Sequence, residues 1–149
     1  MAGGSILAIA SIFNGLGRLF WASVSDKIGR KNVFLIMFAS QAILYVLMPQ
    51  IRGQLLFTIL GCYLLACYGG GFATMPAFAA DAFGPKNIGR IYGMMLTAWG
   101  VAGILGPLAF ARVYQTTQNF KMALYIAAGL LALGFVITLV YKKPAAKGA

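Results

Sequence analysis

Residues 55–80 read LLFTILGCYLLACYGGGFATMPAFAA, a run without a single charged side chain. As a helix rising 1.5 Å per residue, these residues reach about 39 Å, more than the ~30 Å hydrocarbon core of a bilayer. A strand of a membrane barrel would instead alternate apolar and polar positions over about ten residues. This run is continuously apolar, so it predicts a membrane-crossing helix. On either side the pattern recurs at 4–24, 33–48, 91–113 and 122–141. The 33–48 run is short for a span unless Asn32 and its neighbours extend it. The connections are short and carry turn chemistry: a charged stretch at 25–32, Pro49 and Gly53 in the next, Gly84-Pro85 in the third, and a polar Gln- and Thr-containing stretch at 114–120.

Composition agrees. The chain has 149 residues, 61% hydrophobic and 9% charged, whereas a soluble domain is about 25% charged. So few polar groups could not cover a water-exposed surface. The net charge of +10 does not indicate nucleic acid, because the basic residues stand at the ends of apolar runs rather than on one soluble face. That placement suits anionic lipid headgroups. The expected fold is therefore all-α: a polytopic transmembrane helical bundle of five transmembrane helices, a single transmembrane domain over residues 1–149, with 142–149 a short basic cytoplasmic tail. The lipid bilayer is one partner; nucleic acid is not.

Orientation follows from basic residues near the ends of the spans. Lys27, Arg30, Lys31, Lys86, Arg90, Lys142, Lys143 and Lys147 fall on one side, against Arg52, Arg112 and Lys121 on the other. The richer side is cytoplasmic, which puts the N-terminus outside and the C-terminus inside the cell inner (plasma) membrane. Residues 1–5 lack the basic n-region of a cleaved signal peptide.

Arg18 carries most of the functional information. It lies within an apolar run, where a charge costs about 2.5–3.5 kcal/mol on insertion scales and usually faces a bundle interior or a water-filled cavity. Ser11, Asn14, Arg18, Ala22 and Ser25 recur at helical spacings of three and four, so they share one small, polar face. A fixed guanidinium in such a setting can grip a carboxylate with two parallel hydrogen bonds. The alternative is that the long side chain snorkels to the interface. Asp26 and Asp81 are the only acids, there is no histidine, and neither acid lies at membrane depth. The chain thus offers no site for cation coupling and favours an anionic substrate. Trp99, whose N–H needs a partner if buried, is expected to line a cavity. Arg18, Asn14, Trp99 and Tyr68 form the candidate substrate-binding set.

Two further groups stand out. The compact loop Asp26-Lys27-Ile28-Gly29-Arg30-Lys31 is dense in charge, with Gly29 able to make a tight turn and Asp26 placed to meet an Arg or a helix N-terminus. Gly69, Gly70 and Gly71 with Pro76, and Gly100, Gly103 and Gly106 with Pro107, read as hinge or packing positions; the first set suggests a bend or break in mid-span. Cys62 and Cys67 are five apart with no histidine to complete a metal site, and read as small buried apolar residues. No catalytic constellation, phosphate loop or cofactor motif is present, so no enzyme activity, metal or cofactor is expected.

At these residues the sequence resembles a known family. Asp26-Lys27-Ile28-Gly29-Arg30-Lys31 is similar to the conserved loop of the major facilitator superfamily, with Ala22 where a Gly usually stands. The stretches 14–21, 69–78, 81–93 and 96–103 resemble its oxalate/formate antiporter branch. The resemblance implies that the five spans match helices eight to twelve of a twelve-helix secondary transporter, a partial C-terminal half, and that Asp26, Lys27, Gly29, Arg30 and Lys31 form a gating loop. Arg18 matches the branch's carboxylate-binding Arg. The branch's second cation, a Lys on helix eleven, has no counterpart in Thr97-Ala98-Trp99-Gly100, which favours a monocarboxylate or another small organic anion over oxalate. The implied function is alternating-access transport of mono- or dicarboxylates, with the N-terminal transporter half as a partner. Two rivals stand beside it: a carrier of a non-carboxylate solute, and a non-transporting membrane fragment or accessory subunit.

Overall fold

A computed structural model describes residues 2–142, with side chains from Ala8 onward. It contains five α-helices: α1 (Ala2–Ile28), α2 (Arg30–Leu47), α3 (Gln54–Phe83), α4 (Ile88–Thr117) and α5 (Phe120–Val140). Short 3-10 turns at Met48–Gln50 and Pro85–Asn87 finish α2 and lead into α4. There is no strand among the described residues. Four of the helices, α2 to α5, are long and apolar enough to cross a membrane. The fifth, α1, is also long enough at 27 residues. Of the basic tail, only Lys142 lies within the described residues.

All five expected segments are helices; each begins earlier than its apolar run, and α1, α3 and α4 also run on further. The reason is physical: hydropathy falls where charges begin, whereas a backbone helix continues until something stops its hydrogen-bond ladder. The charged stretch expected as a loop at 25–32 is almost wholly helical. Only Gly29 separates α1 from α2, at φ 90 and ψ 146, a conformation that L side chains rarely adopt. Gly84 plays the same part after α3, at φ 81.

The expected break in mid-α3 is absent. The helix passes through Gly69, Gly70, Gly71 and Pro76 without interruption. Pro76 removes one backbone donor, while the Thr74 hydroxyl donates to the Gly70 carbonyl at 2.8 Å. The glycines at 69 and 70 instead serve close packing. A Cβ at Gly69 would sit 2.1 Å from the Asn14 carbonyl oxygen, and one at Gly70 would lie 2.3 Å from Trp21 Cδ1. From the opposite side, a Cβ at Gly17 would lie 2.2 Å from the Ala66 carbonyl oxygen. Helices α1 and α3 are thus in backbone contact, the arrangement small residues permit between membrane helices.

Against this seam packs a small core of Trp21, Val33, Met37 and Cys67, flanked by Val24 and Tyr63. Both cysteines are free and buried, as expected. Helix α2 is tied to α3 by a hydrogen bond from the Tyr63 hydroxyl to Ser40 Oγ (2.8 Å), and to α5 by Phe38, whose ring covers Gly134. Helix α4 differs from the rest: it has no buried residue. Gly100, Gly103 and Gly106 meet nothing within 4 Å, so this face packs against none of the described residues.

If the α1–α3 seam sets the fold, Gly17→Ala should destabilise the protein by roughly 1–3 kcal/mol, the usual cost of overpacking. Gly71→Ala, where a Cβ meets nothing within 4 Å, should be neutral or slightly stabilising. Thermal unfolding in detergent of the two variants beside the wild type tests the contrast; equal loss in both would refute it.

Candidate functional site

Arg18 stands ten residues before the end of α1, about 15 Å along the helix axis. That is deeper, relative to the helix end, than the apolar run alone implied, because α1 continues to Ile28. The side chain is exposed and forms no hydrogen bond or ion pair among the described residues. Asn14, four residues earlier, is differently placed. Its backbone carbonyl lies against Gly69, and its amide donates to the Leu65 carbonyl at 3.4 Å. The shared polar face is therefore split: Asn14 and Ser25 turn toward α3 and the helix end, and Arg18 turns away from the seam.

Tyr68 and Trp99 come together from different helices. The Trp99 indole N–H donates to the Tyr68 hydroxyl at 3.1 Å, and the Trp99 ring meets Phe72 edge-on with centroids 5.3 Å apart. Trp99 is 48% exposed. Its N–H, expected to need a partner, finds one in a side chain on α3. The three rings form an aromatic patch across α3 and α4. No hydrogen bond or ion pair joins this patch to Arg18.

The charged turn is the best-defined polar group. Arg30 reaches Asp26 one helical turn back, with Nη2 to Oδ1 at 2.6 Å. It also faces Asp81 at the end of α3, with Nε to Oδ2 at 3.6 Å. Its other terminal nitrogen donates to Ser25 Oγ, whose own hydroxyl donates to the Ala22 carbonyl at 2.8 Å. One guanidinium therefore gathers both acids of the chain. Lys31 points elsewhere: its Nζ donates to the carbonyls of Leu139 (2.9 Å) and Tyr141 (2.7 Å). These are terminal carbonyls of α5, which have no intrahelical partner and carry the negative end of the helix dipole. Lys27 is exposed and makes no hydrogen bond or ion pair among the described residues.

The sequence marks this charged stretch and an Arg as a partner for Asp26, but not the pairing of Arg30 with Asp81 or of Lys31 with the end of α5. Asp81 and Arg30 are far apart in sequence, and nothing local links them. The signal was arithmetical: with only two acids in the chain, both at helix ends on the same side, one nearby Arg could serve both. The capping of α5 by Lys31 left no comparable trace.

The fold and these groups define a polytopic helical membrane protein. The family model of the Major Facilitator Superfamily matches residues 2–149, and the chain belongs to that superfamily. It is 34% identical over 133 residues to an oxalate:formate antiporter of Oxalobacter formigenes, covering 88% of this chain and 32% of that protein. It is 28% identical to monocarboxylate transporter 14 of Mus musculus, covering 91% and 26%. It is also 28% identical to the multidrug resistance protein MdtG of Serratia proteamaculans, covering 96% and 34%. The chain thus spans roughly a quarter to a third of the length of these relatives.

The Asp side chains of the Arg30 cluster are 65% and 57% exposed, and ion pairs so open to solvent contribute about 0–1 kcal/mol. A double-mutant cycle pairing Asp81→Asn with Arg30→Gln should therefore give a coupling energy below about 1 kcal/mol in thermal unfolding. A coupling of several kcal/mol would mean that the cluster holds the fold together rather than positioning helix ends.

Proposed function

We propose that the chain is the C-terminal part of a secondary active transporter that moves small organic anions, mono- or dicarboxylates, by alternating access. The observation that carries this reading is Arg18, a cation well inside a long helix with no carboxylate partner among the described residues. A guanidinium without a counter-ion at this depth is a strong attractor for a carboxylate and can bind it bidentately. The names of the oxalate:formate antiporter and of monocarboxylate transporter 14 support the substrate class. Helix α4 carries the Trp99–Tyr68 hydrogen bond where a second cation would be needed for a dianion, so a monocarboxylate fits best.

In this reading the N-terminal half of the transporter covers the bare face of α4 and closes the cavity onto Arg18. The turn at Gly29 acts as a gating latch, with Lys27 available for the other half while Arg30 and Lys31 are engaged within this one. The protein sits in the cell inner membrane with its N-terminus outside and its C-terminus cytoplasmic, as the distribution of Lys and Arg suggests. No step in this mechanism is enzymatic.

A second reading, transport of a non-carboxylate solute, draws on the half-exposed patch of Tyr68, Phe72 and Trp99 and on the likeness to a multidrug resistance protein. A third, a membrane fragment or accessory subunit without transport activity, draws on the unburied α4.

In the complete transporter, Arg18→Gln should reduce carboxylate exchange in proteoliposomes by roughly 100-fold, the loss of about two charge-assisted hydrogen bonds. Arg18→Lys should retain part of it. Full exchange by Arg18→Gln would remove the residue from the site, and exchange of apolar drugs but not carboxylates would favour the second reading.

A further inference from the structure

A cavity of about 270 Å³ lies where the start of α2 and the ends of α3 and α5 meet, lined by Arg30, Lys31, Asn32, Phe78, Asp81 and Tyr141 among others. Its wall is amphipathic. The first four polar residues named carry the charge and amide groups at the helix ends. Beneath them is an aromatic layer: Phe78 meets Tyr141 with centroids 5.3 Å apart and Phe34 with centroids 5.5 Å apart. Aromatic rings below cationic side chains are the arrangement found where a protein surface crosses from acyl chains to headgroups.

Within this wall one group is unsatisfied. The Tyr141 hydroxyl is shut off from solvent and has no hydrogen-bond partner among the described residues. A buried hydroxyl left in this state is costly. Lys31 uses two of its three donors on the end of α5, and the Asn32 amide uses one on the Ile28 carbonyl. Each therefore retains a donor. The long side chains of Arg30 and Lys31 are the adjustable part of the wall and can yield to a ligand that brings acceptors.

We propose that this cavity is a binding site for the phosphate of a singly charged phospholipid headgroup, with Tyr141, Lys31 and Asn32 as donors. Charge sets the class. Arg30 and Lys31 against Asp81 leave one net positive charge in the lining, and Asp26 beyond the rim is offset by the adjoining Lys27. A phosphodiester supplies one negative charge, four oxygens for the spare donors, and acyl chains that run down the apolar flank of α2 and α5. A polyol headgroup adds hydroxyls for Asp81. The aromatic layer favours a lipid over a soluble phosphate ester, and basic pockets between helices on the cytoplasmic side are suited to headgroups of this kind. The site is separate from Arg18 and does not depend on which solute is carried.

The test is native mass spectrometry and thermal unfolding of the full-length protein, delipidated in neutral detergent and titrated with phosphatidylglycerol, phosphatidylcholine or inorganic phosphate. Wild type should retain one phosphatidylglycerol and unfold at a higher temperature with it. Tyr141→Phe deletes a costly hydroxyl with no partner among the described residues, so it should leave lipid-free stability unchanged or raise it while weakening phosphatidylglycerol retention by about tenfold. Lys121→Ala, on the opposite side, should leave retention unchanged. Equal retention by wild type and Tyr141→Phe overturns the site. Equal retention of phosphatidylcholine overturns the charge assignment, and equal protection by inorganic phosphate overturns the lipid in favour of a soluble phosphate ester.

Discussion

The contact of α1 with α3 at Gly17, Gly69 and Gly70 is the constraint from which the rest of the arrangement follows. In a bilayer, apolar side chains gain little by leaving lipid for protein, so helices associate through packing and hydrogen bonds. Three positions without a Cβ bring the two backbones together, and Asn14 and Trp21 lie directly on the glycines of α3. Trp21 is then fixed as the floor on which Val33, Met37 and Cys67 pack. Helix α2 takes its place from that floor, and α5 takes its place from α2. Helix α4, outside this sequence of contacts, is held by surface interactions: the Trp99–Tyr68 hydrogen bond and a stacked pair of Tyr114 and Phe120 with centroids 4.2 Å apart.

The helix ends that meet around Gly29 are organised by a different force. Charge there is scarce in one sign and plentiful in the other, and the two acids are both given to Arg30. Lys31, next in sequence, is left to cap α5. Adjacent residues on one turn thus reach two different helices. This division is possible because α2 starts abruptly after Gly29, so its first side chains project from a helix end that is not preceded by a loop.

Much of this was legible in the sequence. The five helices and their order followed from uninterrupted apolar runs, since a bilayer imposes one length scale on every span. The family likeness followed from the turn at Asp26 and from the stretches around Gly69 and Gly84. Helix ends were less legible, because composition marks where apolarity stops and only backbone geometry marks where a helix stops. The glycines of α3 were visible as special, but their sequence does not distinguish a hinge from a contact; the partner atoms on Asn14 and Trp21 decide that. For the candidate site, the residues were legible and their grouping was not. Tyr68 and Trp99 are joined and Asn14 is committed to the seam, while Arg18 faces away from both interactions. Such pairings depend on distances between helices, which no local pattern records.

The single-residue connection at Gly29 has a mechanical consequence. With one residue between them, α1 and α2 have little slack, and a shift of one is passed to the other where a longer loop would absorb it. Lys31 extends that linkage through its two hydrogen bonds to the end of α5. A displacement of the end of α1 would therefore be carried through the turn to α2 and on to the far side of the bundle, with Gly29 as fulcrum.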